Sequence, residues 1–122
     1  MNDNGFDLEL LAEFCAGTKL PVGSSRFNDI REWAVARNLI EGSDSFRQMT
    51  KLVEEVGELA HGIAKNRPEE IADGIGDAVV VLTILAAQNG LSIEECIERA
   101  WNEIKDRKGR MSNGVFIKDS DL

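Results

Sequence analysis

The stretch from Lys51 to Leu85 constrains the fold of this chain most, because it reads as two amphipathic helices joined by a short turn. At about 100° per residue, the acids of the first helix fall within about 100° of one another and those of the second within about 60°. These acids are Glu54, Glu55 and Glu58, then Glu70, Asp73 and Asp77. The aliphatic stripe opposite the first set is Leu52, Val56, Leu59 and Ile63. Like charges at this spacing destabilise an isolated helix, so both stripes need an explanation.

The second helix continues as AVVVLTILAA, which is apolar nearly all round and should be buried on most sides. Val80 and Ile84 lie on the same side as Asp73 and Asp77, so we expect these carboxylates to enter the core. A buried carboxylate must be neutralised, paired or bound to a metal. Two acidic stripes on neighbouring antiparallel helices would form an oxygen-only cage, which suits Mg²⁺ or Mn²⁺.

A solvated acidic surface is the alternative explanation of the first stripe. Lys51 and Lys65 lie on the same face and would offset some of the repulsion between the acids. Glu58 and His61 also have the Glu-x-x-His spacing of di-iron bundles, but such sites need two of these pairs. One pair per chain therefore favours a histidine on the helix surface.

At these residues the sequence resembles the MazG-like, all-α nucleoside triphosphate pyrophosphohydrolases. The motif of that family is EExxE, then a loop, then ExxD before an aliphatic run. EEVGE from Glu54 to Glu58 matches the first half. If Asp77 in GIGDAVVVL is the family's aspartate, Gly74 occupies the position of the family's glutamate and Asp73 replaces it one residue earlier. The other possible match is the literal ExxD from Glu70 to Asp73.

The resemblance extends from about Phe27 to Lys118 and is greatest to the short, single-domain members of phage type. It implies Mg²⁺-dependent hydrolysis of a nucleoside triphosphate at the α–β bond, giving the monophosphate and pyrophosphate. Glu54 would then orient or deprotonate the attacking water. The implied metal ligands are Glu55, Glu58, Asp77 and Asp73.

The end of the last predicted helix is a candidate phosphate-binding segment, because KDRKGR holds four basic residues in an otherwise acidic protein. Favourable placement of cations at a helix C-terminus is the ordinary alternative. MazG-like proteins are similar in having Asn and basic residues near this point. The substrate-binding candidates in this segment are Asn102, Lys105 and Arg107, with Lys118 after them.

Three further residues are candidates for contact with substrate. Trp33 could stack on a nucleobase, although its spacing with Phe27 and Ile30 is more typical of a core residue. Gln48 could bond a base or ribose, and Lys51 lies one turn farther along the same helix. Trp101 is predicted to be in the core, on a helix face with Ile93, Ile97, Ala100 and Ile104.

The helical periodicity predicts an all-α bundle of about five helices with a four-helix core. The predicted helices span Asp7 to Ala16, Phe27 to Asn38, Ser45 to Lys65, Pro68 to about Asn89 and Ser92 to about Gly109. Ser45 to Gln48 and Ser92 to Glu95 read as capping boxes, and Pro68 suits a first helical position. Asn113-Gly114 predicts a turn before a short extended tail.

The length predicts a single domain over 1–122, with a helix and connector in 1–25, the helical core in 27–110 and a tail in 111–122. Acids lining two helices of so small a bundle indicate that a second subunit completes the core. The family is similar in forming dimers or dimers of dimers, so we expect a homodimer or homotetramer. Three glycines inside the predicted helices favour close helix packing, or alternatively leave room for metal and phosphate: Gly57, Gly74 and Gly76.

Composition excludes several classes of function. The net charge of −8 argues against general binding of nucleic acids or anionic membranes, and it means that a triphosphate needs bridging metal ions. Cys15 and Cys96 form no CxxC, which favours a reduced, cytoplasmic setting. The chain starts without a signal-like region, and its longest aliphatic run is about half of the roughly 20 residues that a membrane span needs. We expect a soluble cytoplasmic protein.

Other catalytic designs are not supported, because the chain has one histidine, no apparent nucleophilic triad and no P-loop. The rival function is a non-catalytic helical interaction module with a vestigial acidic site. Its motivation is Gly74, where the family pattern has glutamate.

Overall fold

The computed structural model describes residues 26–121, and the predicted helix from Asp7 to Ala16 with its connector lies outside them. Within the described residues the chain forms four α-helices followed by a β-hairpin, so the predicted all-α class is confirmed. The helices are α1 (Arg26–Ala36), α2 (Ser45–Ala64), α3 (Pro68–Gln88) and α4 (Ile93–Ile104). The strands are β1 (Gly109–Ser112) and β2 (Val115–Lys118), and the 3₁₀ turn Asp119–Asp121 follows them. No helix in this range is long and apolar enough to cross a membrane.

Helices α2 and α3 form an antiparallel hairpin, which is the largest packing unit of the described chain. Its turn is tight: the Arg67 N–H donates to the Gly62 carbonyl at 2.8 Å, and Asn66 takes a left-handed φ of 53°. Pro68 lies in the first turn of α3, as predicted, where its missing N–H costs no intrahelical bond.

Gly74 allows the two helices of this hairpin to approach each other. A Cβ at this buried position would lie 2.9 Å from the Leu59 Cβ and 3.1 Å from its Cα. The prediction of close packing is therefore confirmed for Gly74. It is wrong for Gly57 and Gly76, where an added Cβ would meet no heavy atom within 4 Å because both positions face open space.

These glycines give a matched test of packing against helix propensity. We expect Gly74→Ala to destabilise the protein by up to about 2 kcal/mol, because overpacking costs about 1–3 kcal/mol and alanine gains roughly 1 kcal/mol in a helix. Gly57→Ala meets no obstacle and should raise the free energy of unfolding by up to about 1 kcal/mol. Urea titration of both variants measures these changes. Equal effects in the two variants would contradict the packing explanation.

The apolar core lies where α1 and the loop after it pack against the C-terminal half of α3. Its members are Ala34, Val35, Ile40, Ile84 and Ala87, with Ile30, Leu39 and Val80 packed against them. The prediction that the aliphatic run of α3 enters the core is therefore confirmed for Ile84. The same prediction for Asp73 and Asp77 is wrong, because both are exposed on the part of α3 that precedes these core contacts.

A buried ion pair ties α1 to the start of α4. Arg31 is 1% exposed, and its guanidinium donates to Glu94 Oε1 at 2.5 Å and Oε2 at 2.7 Å. It also donates to Asn28 Oδ1 at 2.6 Å. Arginine is suited to this position, since its planar fork matches a carboxylate in two parallel bonds. Sequence reasoning did not single out either partner.

The helix ends confirm some predictions and correct others. Ser92 caps α4 as predicted, since its hydroxyl accepts from the Glu95 N–H and the Glu95 carboxylate accepts from the Ser92 N–H. The capping box at Ser45 is wrong: Asp44 is the N-cap of α2, and its carboxylate accepts from the Arg47 N–H at 2.8 Å. An acidic side chain next to Ser45 competes for the same cap.

Helices α1 and α4 end earlier in the chain than the sequence predicts. Helix α1 ends at Ala36, before Asn38 takes a positive φ of 57°. Helix α4 ends at Ile104 instead of near Gly109. Gly109 instead begins strand β1 of the β-hairpin, where an added Cβ would collide with the Ile117 carbonyl. The predicted Asn113-Gly114 turn is present, with both residues at positive φ, and it joins two antiparallel strands.

The predicted core face of α4 is largely exposed in the described chain. Ile93 is buried, but Ile97 is 51% and Trp101 is 54% exposed. Val56 and Ile63, which belong to the aliphatic stripe of α2, are also exposed. The periodicity of these helices is amphipathic as predicted, but no other element of residues 26–121 covers these faces.

Candidate functional site

The antiparallel pairing of α2 and α3 brings two of the predicted acids together. Leu59 lies opposite Gly74, and one turn away Glu55 of α2 lies opposite Asp77 of α3. Glu55 is only 6% exposed, whereas Asp77 is exposed. The two side chains are close enough for the charge of each to disfavour a negative charge on the other. We call Glu55 and Asp77 the acid pair.

The surroundings of the acid pair raise the pKa of Asp77. The largest cause is its partial loss of hydration, followed by the negative charges of Glu55 and Asp73 and by the hydrogen bond to Glu55. Lys51 opposes the shift with its positive charge. Two carboxylates held this closely favour any arrangement in which a proton or a cation lies between them.

Lys51 is the cation that contacts this group. Its Nζ lies 3.0 Å from Glu55 Oε1 and 3.6 Å from Glu54 Oε2. The hydrogen bond to Glu55 and then the charge of Glu55 raise the pKa of Lys51, with smaller contributions from Glu54 and Glu58. The predicted offset of acidic charge by Lys51 is therefore confirmed in geometry.

The second oxygen of Glu55 is not satisfied by Lys51. Glu55 Oε2 is buried and has no hydrogen-bond partner in the described residues. An orphaned carboxylate oxygen inside a protein is costly and needs an explanation. A hard oxygen donor that is buried, charged and adjacent to a second carboxylate is suited to Mg²⁺ or Mn²⁺.

The complete four-acid cage does not form in this conformation. Glu58 and Asp73 are exposed, and Asp73 reaches the acid pair only through its charge on Asp77. Within residues 26–121, no three acidic, histidine or cysteine side chains converge on one point that could hold a metal ion. Glu54 lies beside the acid pair on the solvent side.

Glu70 belongs to a separate group at the turn between α2 and α3. It accepts from Arg67 Nη1 at 2.9 Å and lies 3.4 Å from His61 Nδ1. The hydrogen bond from Arg67 is the main cause that lowers the pKa of Glu70. The His61 side chain is 54% exposed, so it lies on the helix surface, as the alternative to a di-iron site predicts. Asp77, and not Glu70, is the acid of α3 that lies next to Glu55.

Trp33 lines a shallow apolar cavity of about 280 Å³ together with Asp29, Ile30 and Val80. It is half-exposed, and the Arg37 guanidinium lies 4.4 Å from the centre of its ring. Val80 follows Asp77 by three residues, about 4.5 Å farther along the axis of α3. The cavity and the acid pair therefore lie one turn apart on neighbouring faces of the same helix.

Within the described residues, no contact is found between the acid pair and the remaining substrate-binding candidates. Gln48 is buried, and its Nε2 donates to Ser43 Oγ at 3.1 Å, in the loop before α2. Asn102 and Lys105 are exposed on α4 and at its end. Arg107 and Lys118 line a common cleft beside the hairpin, so the structure brings them to each other but not to Glu55.

Comparison with known proteins shows which family the segment with the α2–α3 hairpin is similar to. Residues 45–111, more than half of the chain, match the family model of the MazG nucleotide pyrophosphohydrolase domain. Over 61 residues the chain is 54% identical to a protein of Haemophilus phage HP1 (strain HP1c1) named "Uncharacterized 18.2 kDa protein in rep-hol intergenic region". That match covers 50% of this chain and 37% of the phage protein, so the chain spans little more than a third of this relative. No solved structure matches.

Proposed function

The chain belongs to the MazG nucleotide pyrophosphohydrolase domain family, and from this premise we propose that it hydrolyses nucleoside triphosphates at the α–β phosphate bond. The products would be a nucleoside monophosphate and pyrophosphate. The observation that carries the proposal is the buried Oε2 of Glu55, which has no hydrogen-bond partner in the described residues, because such a charged oxygen next to a second carboxylate is suited to a cation and lies inside the matched segment.

The acid pair would hold a divalent cation, Mg²⁺ or Mn²⁺, with Glu58 and Asp73 as further ligands. Carboxylate oxygens are the donors that such hard ions prefer, and side chains that are exposed can turn toward an ion without breaking a core contact. When bound, the ion would supply positive charge that stabilises the phosphate groups and the leaving pyrophosphate.

The neighbouring residues would bind substrate and handle the proton. Glu54 is exposed next to Glu55 and is the proposed acceptor for the proton of the attacking water. Trp33 would stack the nucleobase in its apolar cavity, one turn from the acid pair. Lys51 is the proposed phosphate contact beside the acid pair. The other predicted contacts to phosphate and sugar, none of which touches the acid pair in the described residues, are Gln48, Asn102, Lys105, Arg107 and Lys118.

The experiment is product analysis after incubation of the protein with a panel of NTPs and dNTPs and Mg²⁺. Monophosphate with pyrophosphate, lost in Asp77→Ala, is the expected result. Diphosphate with phosphate would show that the wrong bond has been assigned. Absence of turnover with both Mg²⁺ and Mn²⁺ would favour the second candidate function.

The second candidate function is a non-catalytic interaction module, and the observation that favours it is Gly74. If Asp77 is the family's aspartate, this residue stands where the family motif has glutamate, and a Cβ there would lie 2.9 Å from the Leu59 Cβ. In such a module the acids would be vestigial. Thermal unfolding with and without Mg²⁺ separates the two candidates, because a vestigial site gives no Mg²⁺-linked stabilisation.

We expect the protein to be a homodimer or homotetramer. The motivation is the exposed apolar face of α4, which carries Ile97, Trp101 and Ile104 at about half exposure. Helix α2 also has exposed aliphatic residues, among them Val56 and Ile63. Light scattering at micromolar concentration measures the mass directly. A single species with the mass of one chain would contradict this prediction.

A further inference from the structure

We infer that Lys51 is the resident counter-ion of the acid pair in the metal-free protein, and that a divalent cation binding at Glu55 displaces its ammonium group. This inference rests on the metal site of the proposed function. It assigns two positions to the Lys51 ammonium group. In the metal-free protein the group contacts Glu55, and in the metal-bound protein it is released from Glu55.

The contact geometry supports the first position. Lys51 Nζ lies 3.0 Å from Glu55 Oε1 and also faces Glu54 Oε2 at 3.6 Å. Lys51 and Glu55 are separated by one helical turn, a spacing that favours an ion pair. The carboxylate of Glu55 is 8% exposed, so the ammonium neutralises a charge that water reaches poorly.

The same geometry shows that Lys51 is an incomplete partner. It contacts one oxygen of Glu55 and leaves the other, Oε2, buried and without a hydrogen-bond partner in the described residues. A single positive charge on one side cannot neutralise two carboxylates. A divalent cation between Glu55 and Asp77 would satisfy both, and it would repel the ammonium at the distance that Lys51 now keeps.

Lys51 is also free to leave. Its side chain is 53% exposed and sits on a flexible four-carbon stem, so its ammonium can move into water without opening the core. Metal ion and ammonium therefore compete for the same carboxylate. The competition predicts that removal of the lysine charge strengthens metal binding, which is the opposite of what loss of a supporting residue would do.

The first test is calorimetric titration of the full chain with Mg²⁺ alone, without nucleotide. We expect Lys51→Met to bind Mg²⁺ about five- to tenfold more tightly than the wild type, as for release from a partly buried ion pair. Lys65→Met is the matched control, because Lys65 is an exposed lysine at the other end of α2. This variant should bind Mg²⁺ with the same affinity as the wild type. Glu55→Gln should lose the binding.

The second test follows the ammonium itself. Acylation of lysines by an N-hydroxysuccinimide ester, read by peptide mass spectrometry, should label Lys51 faster when Mg²⁺ is present. The labelling of Lys65 should be the same with and without metal.

Three results would overturn the inference. If Lys51→Met binds Mg²⁺ no more tightly, or if the labelling of Lys51 does not respond to saturating Mg²⁺, the inference fails and the proposed hydrolysis stands. If the wild type binds neither Mg²⁺ nor Mn²⁺, the inference fails together with the metal site of the proposed function.

Discussion

Glu55→Gln is expected to lower metal-dependent turnover by about two to three orders of magnitude while the fold is retained. Glutamine has the same shape but no charge, so the acid pair loses half of its negative charge and the most buried of its proposed metal ligands. A bound metal ion supplies several kcal/mol of transition-state stabilisation. Each 1.36 kcal/mol of that stabilisation that is lost lowers the rate about tenfold. Steady-state kinetics over a range of Mg²⁺ concentrations measures the loss.

The control for this prediction is Glu98→Gln, which makes the same change of charge at an exposed position of α4. Its turnover should remain within a factor of about two, because surface substitutions away from a site have small effects. Circular dichroism establishes whether Glu55→Gln is folded. A folded Glu55→Gln protein that keeps most of its activity would show that the acid pair is not the metal site.

Arg31→Met is expected to destabilise the protein by about 3–5 kcal/mol, which is the usual cost of leaving a buried charge without its partner. Arg31 is 1% exposed and the Glu94 side chain 8%, so neither water nor another cation replaces the guanidinium. Methionine keeps much of the apolar volume of the arginine stem, which separates the loss of charge from the loss of packing. Urea denaturation gives the free energy of unfolding.

The pH dependence of this loss provides the control. Burial by itself would raise the pKa of Glu94, but the hydrogen bonds and charge of Arg31 and a backbone hydrogen bond lower it. The wild type therefore has the full contribution of the pair above the ordinary Glu pKa of about 4.3 and loses it as the pH falls through the lowered value. In Arg31→Met we expect burial without a partner to raise the pKa of Glu94. Protonation of Glu94 at low pH then removes the buried charge and stabilises the folded variant.

The difference between wild type and Arg31→Met should accordingly shrink from pH 7 to pH 4. The double variant Arg31→Met/Glu94→Leu removes both charges and should recover most of the lost stability. A loss that is independent of pH, or a double variant as unstable as the single one, would contradict the ion-pair explanation.

The part of the site that could be read from the sequence is the part that depends on neighbours in the chain. Glu55 and Asp77 meet because α2 and α3 are consecutive helices joined by a short turn, and helical periodicity specifies which side chains share a stripe. The Ser92 cap and Pro68 were also predictable, since both depend on local backbone chemistry.

The features that could not be predicted depend on distant parts of the chain. Periodicity identifies an apolar face on α4 but not what covers it, so Trp101 was expected in the core and is half-exposed. The pairing of Arg31 with Glu94 joins residues 63 positions apart, and neither has a local signal. Helical periodicity also does not reveal that Glu55 is buried whereas Asp77 is exposed, because a stripe of charges carries no information on what packs over it.

The α2–α3 hairpin also has a consequence for how the protein folds. Its two helices are adjacent in sequence, so contacts such as Leu59 with Gly74 close only a short loop of chain. Chains dominated by such local contacts fold in microseconds to milliseconds. The acid pair can thus assemble early in folding, before α1 and α4 are tied together by the long-range pairing of Arg31 with Glu94.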